Sequence, residues 1–216
     1  TSSVYGVSDK KNVTEDHPLV PLTPYNKYKG MCEPQLLEET DNNFYGVIFR
    51  PATVCGYSPR QRLDLSVNIL TNFAVNKKFI KVFGGDQLRP NLHIADYCEA
   101  VDLLISADAN KIKNEIFNIG YQNLSIMQIA EKVKKIVERE FSNISDIKIQ
   151  RKKSDDIRSY HINSDKIKKI LNFIPKYTIE DAILELCNAF KKKLLKNTFD
   201  DDFYFNVKRL KNIQAK

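Results

Sequence analysis

Short apolar runs along the chain alternate with longer stretches in which apolar residues recur every three or four positions. The first pattern belongs to buried strands and the second to amphipathic helices. "SSVYG" (2–6) reads as the end of a buried strand, 7–23 as a proline-bearing loop and 24–39 as a helix. "FYGVIF" (44–49) predicts a strand, "LDLSVNILTNFAVN" (63–76) a helix and "FIKVF" (79–83) a strand. "DYCEAVDLLISA" (96–107) predicts a helix, "EIFNIG" (115–120) a strand and "DIKIQ" (146–150) a short strand. Ser125 stands as N-cap of a helix whose apolar side is Ile126, Ile129, Ala130, Val133 and Val137. Thr178 caps a last helix, with Asp181 placed to reach back in a capping box. Residues 197–216 are polar and form a tail or a packed arm. Alternating β and α elements predict an α/β fold with a parallel sheet.

Composition narrows the classes. At 216 residues and 42% hydrophobic, the chain holds one or two domains and a sizeable core. No apolar run approaches the roughly 18 residues of a membrane helix, and no basic-then-apolar leader opens the chain, so the expectation is a cytoplasmic protein without membrane contact. A net charge of +7 and a pI near 9.1 raise the question of a polyanion partner. The lysines sit in helix-like runs such as "EKVKKIVERE", "SDKIKKIL" and "AFKKKLLK", mixed with acids, and no nucleic-acid-binding signature accompanies them. They read as solvated helix faces, and no nucleic acid is expected. Cys32, Cys55, Cys98 and Cys187 form no CxxC pair, and His17, His93 and His161 lack metal-ligand spacing. The cysteines are expected to be reduced and mostly buried, and no metal is implied.

One pair of residues suggests chemistry. Tyr25 precedes Lys29 by one helical turn, which sets both side chains on one face. A phenol titrates near 10 in model peptides, and a neighbouring positive charge favours its charged form. A hydroxyl from Thr1 or Ser2 could hold a substrate alcohol against the phenol oxygen while a proton leaves the oxygen and hydride leaves the carbon. Taken alone, the same spacing also fits a packed tyrosine beside a surface lysine.

The ordered company of this pair is more specific: "TSSVYG", "TEDHPLVPLTPYNKYK", "FRPATVCGYSPRQR", "VFGGDQLRPNLHIADYCEAV", "FNIG" and "DDIRSYHINSDKIKKILNFIPKYTIEDAI". Over residues 1–190 the series resembles the extended short-chain dehydrogenase/reductases that act on nucleotide sugars, the epimerase/dehydratase family that includes UDP-galactose 4-epimerases. The resemblance implies catalytic roles for Thr1, Tyr25 and Lys29, with Tyr25 as base and Lys29 favouring the phenolate and binding the nicotinamide ribose. It implies NAD as cofactor, with Pro51 and Val54 beside the nicotinamide. Ser2 and Thr53 would face the substrate, and Asn68, Arg89 and Arg158 would meet the diphosphate of a nucleotide-diphosphate sugar. Separated arginines suit a diphosphate. Arg60 and Arg62 either touch phosphate or solvate a loop, His93 reads as a packed structural histidine, and Tyr5 as a wall residue beside the site. A homodimer is implied as well.

The implied activity is 4-epimerisation, with 4-dehydrogenation or a noncatalytic sugar-nucleotide-binding role as alternatives. The block beginning at Phe49 is most similar to members from bacterial surface-polysaccharide pathways, including those handling heptose nucleotides. The implied fold is the C-terminal part of a Rossmann-type doubly wound parallel sheet plus a smaller α/β substrate-binding domain. Residues 1–62, with about 84–120 returning, would form the cofactor-binding part, 63–196 mainly the nucleotide-sugar part and 197–216 a tail.

Departures from the family pattern carry expectations of their own. The glycine-rich dinucleotide fingerprint is absent, so the chain is expected to be part of a longer protein whose N-terminal segment carries the first strands and the pyrophosphate loop. By itself it would expose apolar faces and strand edges, and is expected to be poorly soluble, to associate with another chain, or to be only the ordered part of a longer protein. Pro34 predicts a kink or break just after Lys29. In the family's 4,6-dehydratases an Asp and a Glu follow the catalytic Thr; Ser2 and Ser3 stand in those places here, which predicts no elimination of water.

Overall fold

The computed structural model describes residues 1–8, 10, 12–153, 159 and 161–214. In chain order the elements are a 3-10 turn (Ser2–Tyr5), α1 (Pro24–Glu38), β1 (Ile48–Pro51), β2 (Thr53–Cys55), α2 (Ser66–Lys77), β3 (Phe79–Phe83), β4 (Leu88–His93), α3 (Ile94–Ser106), α4 (Ala109–Ile112), β5 (Ile116–Ile119), β6 (Gln122–Ser125), α5 (Ile126–Glu140), β7 (Lys148–Lys152), α6 (Asp165–Leu171), α7 (Ile179–Lys191), a second 3-10 turn (Asp202–Tyr204) and α8 (Asn206–Asn212). The fold is α/β, with β1 parallel to β5 and β3 parallel to β7. A third sheet has the order β2-β4-β6.

The chain divides into two compact units, each assembled from three separated segments. Thr1–Val54, Gln87–Leu124 and the described residues within Asp156–Lys176 make the first; Cys55–Asp86, Ser125–Asp155 (described residues) and Tyr177–Lys216 (described residues) make the second. The first unit packs Val4, Tyr5, Leu92, Phe117, Ile119 and Ile167 into one core. Its parallel pair aligns Arg50 with Asn118 and Pro51 with Ile119. The 7–23 loop is tied to this unit where Val13 bridges Ile162.

In the second unit the apolar faces of α2, α5 and α7 pack on one another. Ile129, Ala130, Val133 and Val137 are buried along α5, as the 3.6-residue period requires. Both capping boxes form: Ser125 with Gln128, and Thr178 with Asp181. Each satisfies two backbone donors that a helix start leaves open. Residues 198–212 are a packed arm: Tyr204 joins Leu63, Leu186, Ala189 and Leu195 in a core cluster, Leu63 N–H donates to the Tyr204 carbonyl at 3.0 Å, and the Arg60 guanidinium lies 4.3 Å from the Phe203 ring centre.

Several expectations are corrected. Residues 2–5 form a 3-10 turn and no strand: Val4 N–H reaches the Thr1 carbonyl at 3.3 Å and Gly6 N–H the Ser3 carbonyl at 3.2 Å. Gly6 ends this turn at φ 70°, and a Cβ there would stand 1.9 Å from the Val20 carbonyl oxygen, so only glycine fits. The break expected at Pro34 is absent, since α1 continues to Glu38 with the proline inside it. Glu33, the residue before it, is held by Arg50, and that tertiary bond keeps the last turns in line. Periodicity predicts none of β2, β4 and β6: β2 and β6 are short, and at β4 Pro90 argues against a strand. Cys55 and Cys187 are buried, whereas Cys32 and Cys98 are exposed, so the cysteines are not mostly buried. Burial, with Glu140 nearby, pushes the Cys187 thiol up to about 12, so it packs as an inert apolar group. Among the described residues no His, Cys, Asp and Glu cluster could hold a metal, and no helix is long and apolar enough to cross a membrane.

Candidate active site

Helix α1 begins where its sequence says it should. The Thr23 hydroxyl accepts the Asn26 N–H at 3.3 Å, and Pro24 occupies the first helical position, where no backbone donor is lost. This start places Tyr25 in the first turn and Lys29 one turn later. Both are exposed, Tyr25 to 59%, so neither is spent in the core. That removes the packed-tyrosine alternative.

The opening hydroxyls dock on the same turn. Thr1 Oγ1 lies 3.0 Å from Ser3 Oγ, and Ser3 Oγ donates to Asn26 Oδ1 at 2.7 Å. Asn26 is the immediate neighbour of Tyr25, so the 3-10 turn and the helix N-terminus form one local assembly. Ser3, which sequence reasoning did not assign to the site, makes this contact. Ser2 is buried at 2% exposure.

Beneath the assembly runs a buried polar network that sequence reasoning missed. Arg50 on β1 forks onto Glu33 of α1, with Nε to Oε1 at 3.0 Å and Nη2 to Oε2 at 2.6 Å. Its Nη1 donates to the Tyr5 hydroxyl at 2.7 Å and to the Glu15 carbonyl at 2.9 Å. The Tyr5 hydroxyl donates to Asn118 Oδ1 at 2.7 Å, and Asn118 Nδ2 donates to the Val13 carbonyl at 3.1 Å. Burial opposes the Arg50 charge, but bonds from Glu33 and Tyr5 outweigh it and its pKa stands above the ordinary value. Burial raises the Tyr5 phenol, with the Arg50 bond working the other way. Tyr5 is therefore no wall residue: it is fully buried and locks the 3-10 turn to β1 and β5. The one available signal was an arginine inside the apolar run "VIFRPA", since a charge in a buried strand demands a partner.

The other expected site residues fall as follows. Pro51 ends β1, Thr53 and Val54 lie in β2, and all three are half-buried in or at the edge of the first unit's sheets. Arg89 is half-buried on β4, with Nη1 donating to the Leu88 carbonyl at 2.9 Å. Asn68 belongs to the second unit, where its Oδ1 accepts from Gly56 N–H at 3.2 Å and its Nδ2 donates to the Arg62 carbonyl at 2.8 Å. It thus holds the 56–62 loop, keeping one N–H and one lone pair in reserve. His93 caps α3, its Nδ1 accepting the Ala95 N–H at 3.1 Å, a structural task. Arg62 pairs with Asp64 at 2.9 Å. Arg158 lies outside the described residues.

Comparison with known proteins identifies the family. Residues 1–120 match the family model described as the NAD dependent epimerase/dehydratase family. A UDP-glucuronate 4-epimerase of Thermodesulfobacterium geofontis is 28% identical, over 90% of this chain and 58% of that protein. A dTDP-glucose 4,6-dehydratase of an Actinoplanes species is 27% identical, over 86% of this chain and 56% of that protein. Among solved structures, the UDP-glucuronic acid 4-epimerase of Bacillus cereus, in complex with UDP-glucuronic acid and NAD, superposes with a TM-score of 0.75 at 26% identity. The match covers 89% of this chain and 60% of that one. The chain spans little more than half the length of the curated relatives it matches. With a family match over more than half its residues and the α/β fold of these structures, the chain belongs to the NAD-dependent epimerase/dehydratase family.

Proposed function

We propose that the chain carries the base, its supporting lysine and the sugar-nucleotide contacts of an NAD-dependent nucleotide-sugar 4-epimerase. The observation that carries this reading is the docking of the Thr1 and Ser3 hydroxyls on the helical turn that presents Tyr25, with Lys29 one turn further along. The relatives named as 4-epimerases support the choice of carbon. In this reading the first unit serves the cofactor and the reacting carbon.

The residues fit the cofactor: an exposed lysine and tyrosine on one helix, with Pro51 and Val54 half-buried at strand positions of the same unit. Bound NAD supplies the hydride acceptor and, on the return step, the donor. Tyr25 takes the carbinol proton as the carbon is oxidised and gives it back on reduction. Lys29, one turn further along the helix, contributes positive charge on the same face and a donor for the ribose hydroxyls. Thr1 holds the reacting oxygen. Epimerisation requires hydride to return to the opposite face of the sugar; release of the keto sugar with reduced cofactor would make the same site a 4-dehydrogenase.

Elimination of water is not expected. It needs a carboxylic acid and a carboxylate beside the sugar, whereas Ser2 is buried and the Ser3 hydroxyl is committed to Asn26. Incubation of the complete enzyme with UDP-, GDP-, dTDP- and CDP-hexoses and GDP-heptose, followed by NMR and mass spectrometry, tests this. Conversion at constant mass is expected, and a product lighter by one water overturns it.

Arg89 is assigned to the diphosphate. Arg89→Ala should raise the Kd for a sugar nucleotide roughly 10- to 100-fold, the usual scale of a lost charge-assisted bond. Its single-turnover rate should hardly change, because ground and transition states share a phosphate contact. An unchanged Kd removes Arg89 from the phosphate site.

A further inference from the structure

We infer that Asn26 is a positioning residue that sets the direction of the protons along the Thr1–Ser3 hydroxyl chain, so that Thr1 presents a hydrogen-bond donor to the reacting oxygen. The inference rests on the catalytic reading above and goes beyond it. Each hydroxyl owns a single proton. Whichever way Ser3 donates, Thr1 must do the complementary thing, because their oxygens are 3.0 Å apart and either can be the donor. Asn26 ends the chain and therefore decides for both.

In the structure the amide oxygen faces Ser3, which donates to it at 2.7 Å. Ser3 is then obliged to accept from Thr1, and the Thr1 proton points inward. The Asn26 side chain is 1% exposed and its Nδ2 has no hydrogen-bond partner. Buried N–H groups without an acceptor are the rarer and costlier kind of orphan. A half-turn of the amide is nearly isosteric and reverses every link. Nδ2–H donates to Ser3, Ser3 donates to Thr1, and the Thr1 proton is released to point away from the chain. The orphan becomes a carbonyl oxygen, which is tolerated better.

The half-turned form is the one the chemistry needs. As a carbinol becomes a carbonyl, its oxygen can only accept, and a donor fixed beside it stabilises the developing charge. A Thr1 whose proton is drawn to Ser3 would offer that oxygen only lone pairs. Asn26 is suited to the task because its amide has both a donor and an acceptor end. Aspartate, which is isosteric but accepts only when ionised, would hold the chain in the unproductive direction.

Two experiments decide the matter. Neutron diffraction on the deuterated protein should show deuterium between Asn26 Nδ2 and Ser3 Oγ and between Ser3 Oγ and Thr1 Oγ1; deuterium on Ser3 aimed at Asn26 Oδ1 overturns the inference. In the complete enzyme, Asn26→Asp should lower kcat roughly 100-fold at a nearly unchanged KM, the scale of one lost donor to a developing oxyanion. Adding Ser3→Ala to that variant severs the chain and should restore most of kcat, since Thr1 can again donate. An Asn26→Asp enzyme with full kcat overturns the inference. So does failure of Ser3→Ala to rescue it, because a role in folding, or a direct effect of the new charge on Tyr25, would survive that second change. Absence of any turnover in the unmodified enzyme would sink the catalytic reading instead, and the deuterium positions would still decide the direction of the chain.

Discussion

Tyr25→Phe is expected to lower turnover roughly 10²- to 10⁴-fold, the range that a positioned acid–base group contributes, while the Kd for a sugar nucleotide stays nearly unchanged. The reason is local. Tyr25 is 59% exposed, so removing its hydroxyl leaves no hole in a core. The helix start depends on Thr23 and Pro24 and is not disturbed. What disappears is the hydroxyl that, in the proposed mechanism, takes a proton from the carbinol and returns it. The measurement is single-turnover kinetics beside calorimetric binding. Equal turnover in the two proteins would remove Tyr25 from the chemistry, and a parallel loss of affinity would make it a binding residue.

Arg50→Met should cost about 3–5 kcal/mol of stability, because it strands the Glu33 carboxylate in a buried position without its partner. For a chain of this size that corresponds to a fall in Tm of roughly 10 °C. The Tyr5 hydroxyl and the Glu15 carbonyl lose a donor at the same time. Arg50→Met combined with Glu33→Leu removes the stranded charge and should recover at least half of the loss. Thermal unfolding followed by circular dichroism measures both. If the single variant costs less than about 1 kcal/mol, the pair behaves as a surface ion pair and does not clamp α1 to β1. The clamp also bears on the candidate site: Glu33 stands one turn beyond Lys29, so slack here would reach Lys29 and Tyr25 along the same helix.

Much of the fold could be read directly from the chain. The strands at 79–83 and 116–119, the helices from Pro24 and Ile126, a helix over most of Ser66–Lys77, and the caps at Ser125 and Thr178 were all legible. These features are written within a few residues of where they act: a period of two or 3.6, a hydroxyl before an apolar run, a carboxylate or amide three places on. The spacing of Tyr25 and Lys29 is of the same kind. Arg89 and Thr53 could be named from motif order, but their strands could not, because β2 is too short for a period to show and Pro90 argues against a strand at β4.

What stayed hidden depends on residues far apart in sequence. Local pattern made residues 2–5 look like a strand, yet hydrogen bonds at 3-10 spacing and the close approach of the Val20 carbonyl to Gly6 decided otherwise. Nothing near Ser3 announces Asn26, nor does anything near Tyr5 announce Asn118, 113 positions away. The chain by itself determined the α/β alternation, the helix starts and the tyrosine–lysine turn, since each needs only neighbours along the backbone. Only the tertiary structure decided the Arg50–Glu33–Tyr5–Asn118 network and the seat of Asn26. A buried polar atom takes whichever partner the packing brings within reach, and that choice is made by the pairing of β1 with β5 and the docking of the first turn on α1.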